Sequence, residues 1–481
     1  MRNTQTTNMT ALHKVEPSPP GHDDVLKVIL SKVKPIDFSE LIGGDSKPTN
    51  PQYHVICINE LFKQVPDNFG LAWDNQAIVY NGCYWQSVEK KEMENFLFKC
   101  AIKMGVPWLA QSHYKQRDAL LKQFASASPV PKTNNQIMIN LNNGTLLFSP
   151  EPELKPFNKH DYLRYQLNFE YDTSQTVPLF QKYLDRCLPD KSAQMLLAEY
   201  LGYLFIPHAD LKLEKALILY GSGANGKSVM FDIVNALLGR QNLANYSLES
   251  LCDDKGYHRA GIENKLLNFC TEISGKRIES SFFKAMVSGE PVEARLPYQE
   301  PVLIERYAKM MFNTNELPAT TDMTEGFFRR FLIIPFDVII PPTERDSTLA
   351  QKIITNELSG VLNWIIDGLN RLLSQRRFTE CEAVKKAVKQ YRHDADTVLS
   401  FLEDAEIEPG AVEIKGSVLY RQYKDHCLDC GRPALGRSKF FIRLVHGGFE
   451  RIEKRKQAHF GIDKIIDPAN PVGFDPEESP Y

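Results

Sequence analysis

The stretch Gly221–Ser228 holds the residue types that a phosphate-binding loop requires, at the spacing Gly-x-x-x-x-Gly-Lys-Ser. Glycines let backbone N–H groups face phosphate oxygens with no side chain in between. Lys227 can reach the β- and γ-phosphates, and the Ser228 hydroxyl can ligate Mg²⁺. We therefore predict that a nucleoside triphosphate and Mg²⁺ bind to the following residues: Gly221, Ser222, Gly223, Ala224, Asn225, Gly226, Lys227 and Ser228.

Two polar residues further along the chain could complete the chemistry. Glu272 follows the apolar run 266–270, 45 residues after Lys227. Its carboxylate could hold Mg²⁺, directly or through water, or activate the attacking water. Asn315 follows the apolar run 309–312, and its amide could hold that water and sense the γ-phosphate. The alternatives are a surface glutamate at a strand end and an asparagine in an ordinary turn.

Two adjacent arginines, Arg329 and Arg330, stand between aromatic residues at the start of a further apolar run, 331–335. Either one could serve as an arginine finger for the nucleotide of a neighbouring subunit. An ion pair with Asp322 or Glu325 is the alternative. The predicted catalytic set is therefore Lys227, Glu272, Asn315, Arg329 and Arg330.

The elements that must position these residues follow from the apolar runs. Runs at 216–220, 266–270, 309–312 and 331–335 alternate with helical stretches. This alternation predicts an α/β core, in which a parallel sheet is covered by helices on both faces. The run 216–220 before the loop and the helical pattern 229–238 after it also distinguish the motif from a chance glycine-rich turn. A helical segment, 177–205, leads directly into the first strand, so we expect it to pack on this core.

The flanking segments suggest four further parts. We predict a flexible, proline-broken leader over 1–50, an α+β and helical domain over 51–205, and the ATPase core over 206–345. Residues 346–466 are expected to form a helical linker and a winged-helix unit, and 467–481 a frayed tail. Within these parts, Asn-Gly turns predict strand pairs at 77–88 and 136–148. The last unit is predicted to hold helices at 418–426 and 438–445 and strands at 449–455 and 458–463.

Composition bears on three properties: nucleic-acid binding, the cellular compartment and membrane association. The net charge of −3 does not by itself indicate nucleic-acid binding, although a local basic surface remains compatible with it. Nine cysteines without framework spacing favour a reducing compartment, so a cytoplasmic location is expected. The start of the chain has no apolar signal core, and no run of about 18 apolar residues occurs, so no membrane association is expected.

The loop, Glu272, Asn315 and the arginine pair, in this order, resemble the motifs of superfamily 3 helicases of the AAA+ class. The resemblance is to the phage/plasmid-associated and poxvirus-type primase-helicase family, and it extends over roughly residues 70–465. It implies a P-loop AAA+ core preceded by an α+β domain and followed by a winged-helix domain. Two departures are visible. Thr271, not a second acid, precedes Glu272, and no primase-type metal cluster or zinc ribbon is present, so primase activity is not expected in this chain.

The same resemblance indicates where DNA would bind. Residues 283–301 are similar to a family motif that runs into a β-hairpin facing the channel of a ring. The candidate contacts there and on the predicted winged helix are Lys284, Arg295, Tyr298, Arg437, Lys439 and Arg443. For Lys284 the alternative is an ordinary surface helix, and for Arg295 an ion pair with Glu293 or Glu300. The basic helix 385–392 could contact the phosphate backbone of DNA or could be an ordinary solvated face, and the sequence favours neither.

These observations lead to three functional hypotheses. The first is an ATP-driven DNA helicase that works as a ring, expected to be a hexamer, on single-stranded and forked DNA in the replication of a phage, virus, plasmid or integrated element. A separate primase would be a partner. The second is a non-unwinding, origin-binding ATPase that loads other proteins. The third is a P-loop kinase, which the arginine pair and the hairpin motif disfavour.

Overall fold

The computed structural model of the chain describes residues 22–43, 47–72, 76–128, 136–148, 152–207, 210–271, 273, 278–296, 300–320, 322–454 and 456–463. Within these residues no helix is both long and apolar enough to traverse a lipid bilayer.

The first unit packs helices against a small antiparallel sheet. Its elements are α1 His22–Lys32, α2 Phe38–Ile42, α3 Asn50–Gln64, β1 Phe69–Leu71, β2 Ala77–Tyr80, β3 Trp85–Ser87, α4 Lys90–Met104, α5 Trp108–Ser112 and α6 Tyr114–Ala127. The predicted strand pair at 77–88 is confirmed as β2 and β3. The leader predicted for 1–50 is wrong for its second half, because Val25 and Ile29 of α1 are buried in one cluster with Ile58, Phe96 and Phe124.

A second antiparallel sheet and two helices follow: β4 Met138–Leu141, β5 Gly144–Phe148, β6 Pro152–Lys155, α7 Pro178–Cys187 and α8 Lys191–Tyr203. The predicted strand pair at 136–148 is confirmed as β4 and β5. These elements do not share the core of the first unit. Leu197 and Leu201 of α8 belong instead to the cluster that contains Leu217 and Met311. The helical segment 177–205, which forms the two helices α7 and α8, therefore packs on the central region as expected, and the boundary predicted at 205 is not a break in packing.

The central region contains a five-stranded parallel sheet. Its elements are β7 Ala216–Tyr220, α9 Lys227–Leu238, β8 Leu243–Ala244, α10 Leu248–Leu251, α11 Tyr257–Ala260, β9 Leu267–Cys270, α12 Ser280–Val287, β10 Val292–Ala294, β11 Val302–Ile304, β12 Lys309–Thr314, α13 Glu325–Phe328 and β13 Phe331–Pro335. The strand order is β13-β7-β12-β9-β8, and β10 and β11 form a separate hairpin. The expectation of a parallel sheet is confirmed.

Both faces of this sheet are buried. Leu217 and Leu219 of β7 lie in one apolar cluster, whereas Ala216 and Ile218 lie in another. Successive side chains of a strand point to opposite faces, so the two clusters cover the two sides of the sheet. A strand that is apolar at every position, as β7 is, fits this arrangement.

Two long helices follow the sheet, α14 Leu349–Gln375 and α15 Glu382–Ala395. Helix α14 lies very close to α8. A Cβ atom on Gly368 would lie 2.4 Å from the backbone carbon of Ala198, and one on Gly202 would lie 2.8 Å from the Cβ of Leu369. Both positions therefore require glycine. This close approach fixes the second sheet and its helices to the central region.

The last unit has its own core, built around Leu419, Tyr423, Phe440 and Phe460. Its elements are α16 Thr397–Asp404, β14 Pro409–Lys415, α17 Gly416–Asp429, α18 Arg437–His446, β15 Arg451–Lys454 and β16 Gln457–Ile462, with sheet order β14-β16-β15. The predicted helices and strands of this unit are confirmed, and β14 was not predicted. The tail predicted for 467–481 lies outside the described residues.

Candidate active site

The predicted phosphate loop connects β7 to α9, and its geometry depends on glycine. Gly223 and Gly226 have φ angles of 95° and 89°, which L side chains adopt with strain. A Cβ atom on Gly221 would lie 2.4 Å from the carbonyl oxygen of Phe336, and one on Gly226 would lie 2.5 Å from Sγ of Cys187. The loop is thus a tight backbone turn that ends at the N-terminus of a helix. This is the form that binds phosphate through backbone N–H groups.

Lys227 is the first residue of α9, and it is only 7% exposed. Its Nζ atom lies 2.5 Å from the carbonyl oxygen of Gly221 and 3.2 Å from Oδ1 of both Asn225 and Asn315. Burial lowers the pKa of this ammonium group. Three oxygens therefore hold one cation next to the loop, and a triphosphate could replace them as its partner.

The sheet order explains why Asn315 reaches this lysine. Strand β12, which ends one residue before Asn315, lies directly between β7 and β9. The carboxyl ends of parallel strands meet at one edge of the sheet. Glu272 itself lies outside the described residues, and Thr271, which precedes it, follows the end of β9 at this same edge. Lys227 and Asn315, predicted from separate motifs, are brought together.

Three supports of the loop were not expected from the sequence. Asn225 is buried, and its Nδ2 donates to the carbonyl oxygen of Phe336 at 2.9 Å. Asn313 of β12 donates from Nδ2 to the carbonyl oxygen of Lys227 at 3.3 Å. Tyr183 of α7 donates its hydroxyl to the carbonyl oxygen of Gly226 at 2.8 Å. Burial raises the pKa of Tyr183 well above its ordinary value, so the hydroxyl stays a donor. No local pattern in the sequence distinguishes Tyr183.

The segment after β13 closes the other side of the loop. The backbone N–H of Ile340 donates to the carbonyl oxygen of Ala224 at 2.8 Å. Arg186 of α7 forms an ion pair with Glu344 in the same segment, with Nη2 and Oε2 2.9 Å apart. The loop therefore lies between α7 and residues 336–344. The glycine turn, the buried lysine and the exposed Ser228 hydroxyl at the start of α9 fit a triphosphate with Mg²⁺.

Arg329 and Arg330 lie at the opposite edge of the sheet. They precede β13, whose residues Phe331–Pro335 pair in parallel with Ala216–Tyr220. A five-residue strand spans about 16 Å, so neither arginine is near the loop of its own chain. Both guanidinium groups pair with Glu214, with Nη2–Oε2 distances of 2.8 and 3.3 Å.

The ion-pair partners predicted for these arginines are wrong. Asp322 pairs with Lys284, and Glu325 pairs with Arg392 at 3.2 Å. The two arginines also differ from each other. Arg329 has a side chain that is 52% exposed, whereas that of Arg330 is 11% exposed and bonds Oγ of Ser288 at 2.8 Å.

The three DNA contacts predicted on the hairpin motif have different surroundings or fall outside the described residues. The hairpin itself is confirmed as β10 and β11. Lys284 lies on α12 and forms an ion pair with Asp322, so its charge has an internal partner. Arg295 follows β10, and its backbone N–H donates to the carbonyl oxygen of Gly256 at 3.1 Å. Tyr298 lies outside the described residues.

The three DNA contacts predicted on α18 also differ in their surroundings. Arg437 and Lys439 are exposed. Arg443, expected to share their face, instead donates from Nε to Oδ2 of Asp396 at 2.8 Å. The Asp396 side chain is 2% exposed and also accepts bonds from the first N–H groups of α16. A buried carboxylate requires a counter-charge, and Arg443 supplies it. The Arg443 charge is therefore engaged within the chain, and its predicted contact with DNA stays a prediction.

Two cations of the basic helix α15 are neutralised within the chain. Lys385 lies 2.8 Å from a carboxylate oxygen of Glu380 and at the same distance from one of Glu382. Arg392 pairs with Glu325. These contacts favour a solvated helix face over a phosphate-binding surface.

Comparisons with known proteins give two family matches and several relatives. Residues 61–189 match a family described as "D5 N terminal like", and residues 219–330 match a family of unknown function, DUF5906. The chain is 23% identical, over 286 residues, to a protein of Acanthamoeba polyphaga mimivirus named "Putative helicase L207/L206". The match covers 55% of this chain and 28% of that protein, so the chain spans about a quarter of the length of this relative.

Solved structures of the NrS-1 C-terminal region are also similar. One apo structure is 12% identical and covers 87% of this chain and all of the other, with a TM-score of 0.45. A second is 13% identical, covers 89% of this chain and all of the other, and has the same TM-score. Scores below 0.5 support no conclusion about fold or activity. The viral relative is what connects this chain to a helicase-named protein.

Proposed function

We propose that this chain is an ATP-dependent DNA helicase of superfamily 3, with a P-loop AAA+ core, that acts as a ring in the replication of a virus, phage, plasmid or integrated element. The contact between Lys227 and Asn315, with Nζ and Oδ1 3.2 Å apart, carries the proposal. It joins the loop to a polar side chain directly after the neighbouring strand β12, at the edge where β9 ends; in the sequence Glu272 comes two residues after β9. The viral relative named as a helicase and the D5-type match support the same function.

In this proposal the residues at the carboxyl edge bind phosphate, hold Mg²⁺ and position the attacking water. Lys227 and the loop N–H groups bind the β- and γ-phosphates, and Ser228 and Glu272 hold Mg²⁺, which neutralises phosphate charge when bound. Glu272 polarises the attacking water. Asn315 exchanges its bond to Lys227 for one to that water or to the γ-phosphate, so hydrolysis changes the position of β12.

The position of the arginines is the reason for proposing a ring of subunits. Arg329 lies a strand length from its own loop, so it can serve a nucleotide only from a neighbouring subunit. We favour Arg329 over Arg330, because the Arg329 side chain is 52% exposed and its guanidinium group pairs with Glu214 at the surface. An exposed ion pair is worth about 0–1 kcal/mol, so Arg329 can leave it at little cost. A hexamer is the expected assembly.

DNA would be contacted at two places. The hairpin of β10 and β11 would grip one strand of forked DNA, as the resemblance implies. The last unit, with a helix, a strand, two helices and a strand pair, is a winged helix in this proposal. Its helix α18 would bind duplex phosphate through the exposed Arg437 and Lys439. Primer synthesis would come from a separate primase. No disulfide bond joins the nine cysteines, all of which lie among the described residues, and this agrees with the reducing compartment expected from the sequence.

A second function deserves its own test because the last unit has a separate core and an exposed basic helix end. A non-unwinding ATPase would use this unit to bind an origin and load other proteins. Strand displacement on forked DNA with ATP separates the two functions. A protein that hydrolyses ATP and binds the fork without releasing a strand would be the loader.

The test of the proposed ATP site is Lys227→Ala in the full chain. Loss of the lysine should abolish ATP hydrolysis and strand displacement, because no other cation of the described loop reaches the phosphates. Lys389→Ala on the exposed face of α15 is the matched control and should leave both activities unchanged. Undiminished ATP turnover by Lys227→Ala would contradict the assignment.

A further inference from the structure

The first unit carries an exposed apolar surface that the proposed function does not use. Trp108 is 63% exposed, Leu109 79% and Tyr114 69%. We call these three residues the aromatic face. Large aromatic side chains are normally buried for most of their area, and the next most exposed aromatic of the described residues, Tyr257, is 40% exposed. A tryptophan and a tyrosine this exposed, six residues apart on two successive helices, indicate a binding surface.

The aromatic face is presented by packed elements. The Oγ atom of Ser112 donates to the carbonyl oxygen of Trp108 at 2.7 Å. Gln111, which precedes Ser112 in the same helix, is 1% exposed. The ring of Tyr114 lies 4.8 Å from that of His113, and α6 continues into the buried Leu120 and Phe124. The two large rings therefore project from the short helix α5 and from the first turn of α6.

The stretch of sequence that contains the aromatic face carries positively charged residues and no carboxylate. No Asp or Glu occurs from residue 95 to 117, although the stretch contains Lys99, Lys103, Lys115 and Arg117 and the whole chain has a net charge of −3. Lys103 bonds the backbone oxygens of Leu30 and Ser31, and the Arg117 guanidinium lies 4.1 Å from the ring centre of Phe98. These contacts leave the positive charges in place.

The carboxylates that border this stretch are engaged elsewhere. Glu94 pairs with Lys90, and Asp118 pairs with Lys122 at 2.8 Å. The contrast with α15 is direct, because Lys385 and Arg392 of that helix are each paired with a carboxylate. The aromatic face is thus flanked in the sequence by cations that phosphate could neutralise, and Lys115 directly follows Tyr114.

We propose that the aromatic face binds single-stranded DNA, and that this binding does not require nucleotide. Bases of a single strand expose their flat faces, on which Trp108 and Tyr114 can stack, while Lys115 and its neighbours bind the backbone. In a duplex those faces are covered by neighbouring bases, so the surface selects single strands. It would give the protein a DNA contact separate from the hairpin and from α18.

The test measures binding of labelled dT30 to the full chain by fluorescence anisotropy, at about 0.1 M salt and without nucleotide. Trp108→Ala should weaken binding about tenfold, Tyr114→Ala by a similar factor, and the double variant by more, because base–aromatic stacking contributes this much per ring. Trp108→Phe and Tyr114→Phe keep a flat ring and should stay within about twofold of the wild type. Val28→Ala, which trims another exposed apolar side chain of the same unit, is the control.

Two further measurements identify the contact. Trp108 is the exposed tryptophan of the described residues, since Trp85 is buried and Trp364 partly so. Its emission should be quenched by dT30 in the wild type and not in Trp108→Phe. Lys115→Ala should lower the dependence of log Kd on log salt by about one phosphate contact.

The outcomes separate this proposal from the proposed function. Wild-type affinity for dT30 in the double variant, with altered self-association instead, would overturn it and assign the face to protein contact. An effect of Leu109→Ala equal to that of Trp108→Ala would also overturn it, because leucine cannot stack. The Lys227→Ala protein should bind dT30 like the wild type. If the wild type binds dT30 through Trp108 but displaces no strand, the helicase proposal fails and this one stands.

Discussion

The two edges of the parallel sheet differ in how their charged side chains are held. At the carboxyl edge, Lys227 is buried among three oxygens, and Asn225 and Asn315 contribute two of them. At the amino edge, Arg329 is exposed and pairs with Glu214 at the surface. One edge is a preorganised pocket for anionic charge, and the other presents a cation outward. The carboxyl edge has the pocket without the outward arginine, and the amino edge has the arginine without the pocket. We therefore expect the complete site to form between two subunits.

The largest effect is expected when the outward cation is removed. Arg329→Ala should lower kcat for ATP about 10³-fold or more, the usual range for an arginine finger. Arg392→Ala, which removes another exposed, ion-paired arginine, is the matched control and should leave turnover unchanged. The decisive measurement is steady-state ATP hydrolysis by a mixture of Arg329→Ala and Lys227→Ala subunits. Mixed rings contain some interfaces with both residues intact, so activity should partly return. Two inactive proteins that stay inactive when mixed would speak against a shared site.

A smaller effect is expected from the amide at the carboxyl edge. Asn315→Ala removes a partner of Lys227 and, in the proposed mechanism, the group that holds the attacking water. We expect kcat to fall about 10²-fold, comparable to the loss of one preorganised donor, with KM for ATP nearly unchanged. Asn245→Ala is the control, because Asn245 follows β8 at the same edge and donates to the carbonyl oxygen of Phe269. A rise in KM with kcat preserved would mean that Asn315 only supports the loop.

The sheet and the loop could be predicted from the sequence because both depend on local patterns. β7 is apolar at each of residues 216–219, and glycines stand where the backbone approaches Phe336 and Cys187 too closely for a side chain. Once the strands were recognised, Lys227 and Asn315 could be placed at the same site, since parallel strands end at one edge of the sheet.

The partners of charged side chains could not be predicted in this way. Arg443 lies one helical turn from Lys439, so their sequence spacing indicates one face. The buried carboxylate of Asp396, 47 residues away, determines where Arg443 points. Similarly, α1 has a weak amphipathic pattern among prolines, and only its packing on Ile58 and Phe96 makes it part of the first unit. These contacts are tertiary, and no window of sequence contains both partners.

A modest effect is expected from the support beneath the loop. Tyr183→Phe removes the hydroxyl that donates to Gly226 and leaves the ring in place. We expect KM for ATP to rise about fivefold, because the loop backbone loses about 1 kcal/mol of support, with kcat within about twofold. Tyr165→Phe is matched to it, since Tyr165 donates to the carbonyl oxygen of Met138 away from the loop. Both variants should lose similar stability in urea unfolding. If KM rose equally in both, the role of Tyr183 would be general packing.

The smallest effect on turnover is expected at Lys309, a second buried lysine, at the amino end of β12. Its Nζ donates to the carbonyl oxygen of Ile206 at 2.6 Å and lies 4.2 Å from the ring centre of Tyr203. Burial lowers its pKa to about 7, against about 10.4 in an unfolded chain. Between these values the unfolded state binds more protons, so the unfolding free energy should rise with pH, by up to about 1.4 kcal/mol per unit.

Lys309→Met removes this titration and should flatten the curve between about pH 7 and 10. Urea unfolding of both proteins across this range is the measurement, and their difference isolates Lys309, because the other titrating groups are common to both. ATP turnover at pH 7.5 should stay near that of the wild type. The two lysines would then be distinguished by function: the charge of Lys227 is needed for phosphate, whereas that of Lys309 only opposes folding. A difference between the two proteins that does not vary with pH would mean that Lys309 stays charged in the folded protein, held by Ile206 and Tyr203.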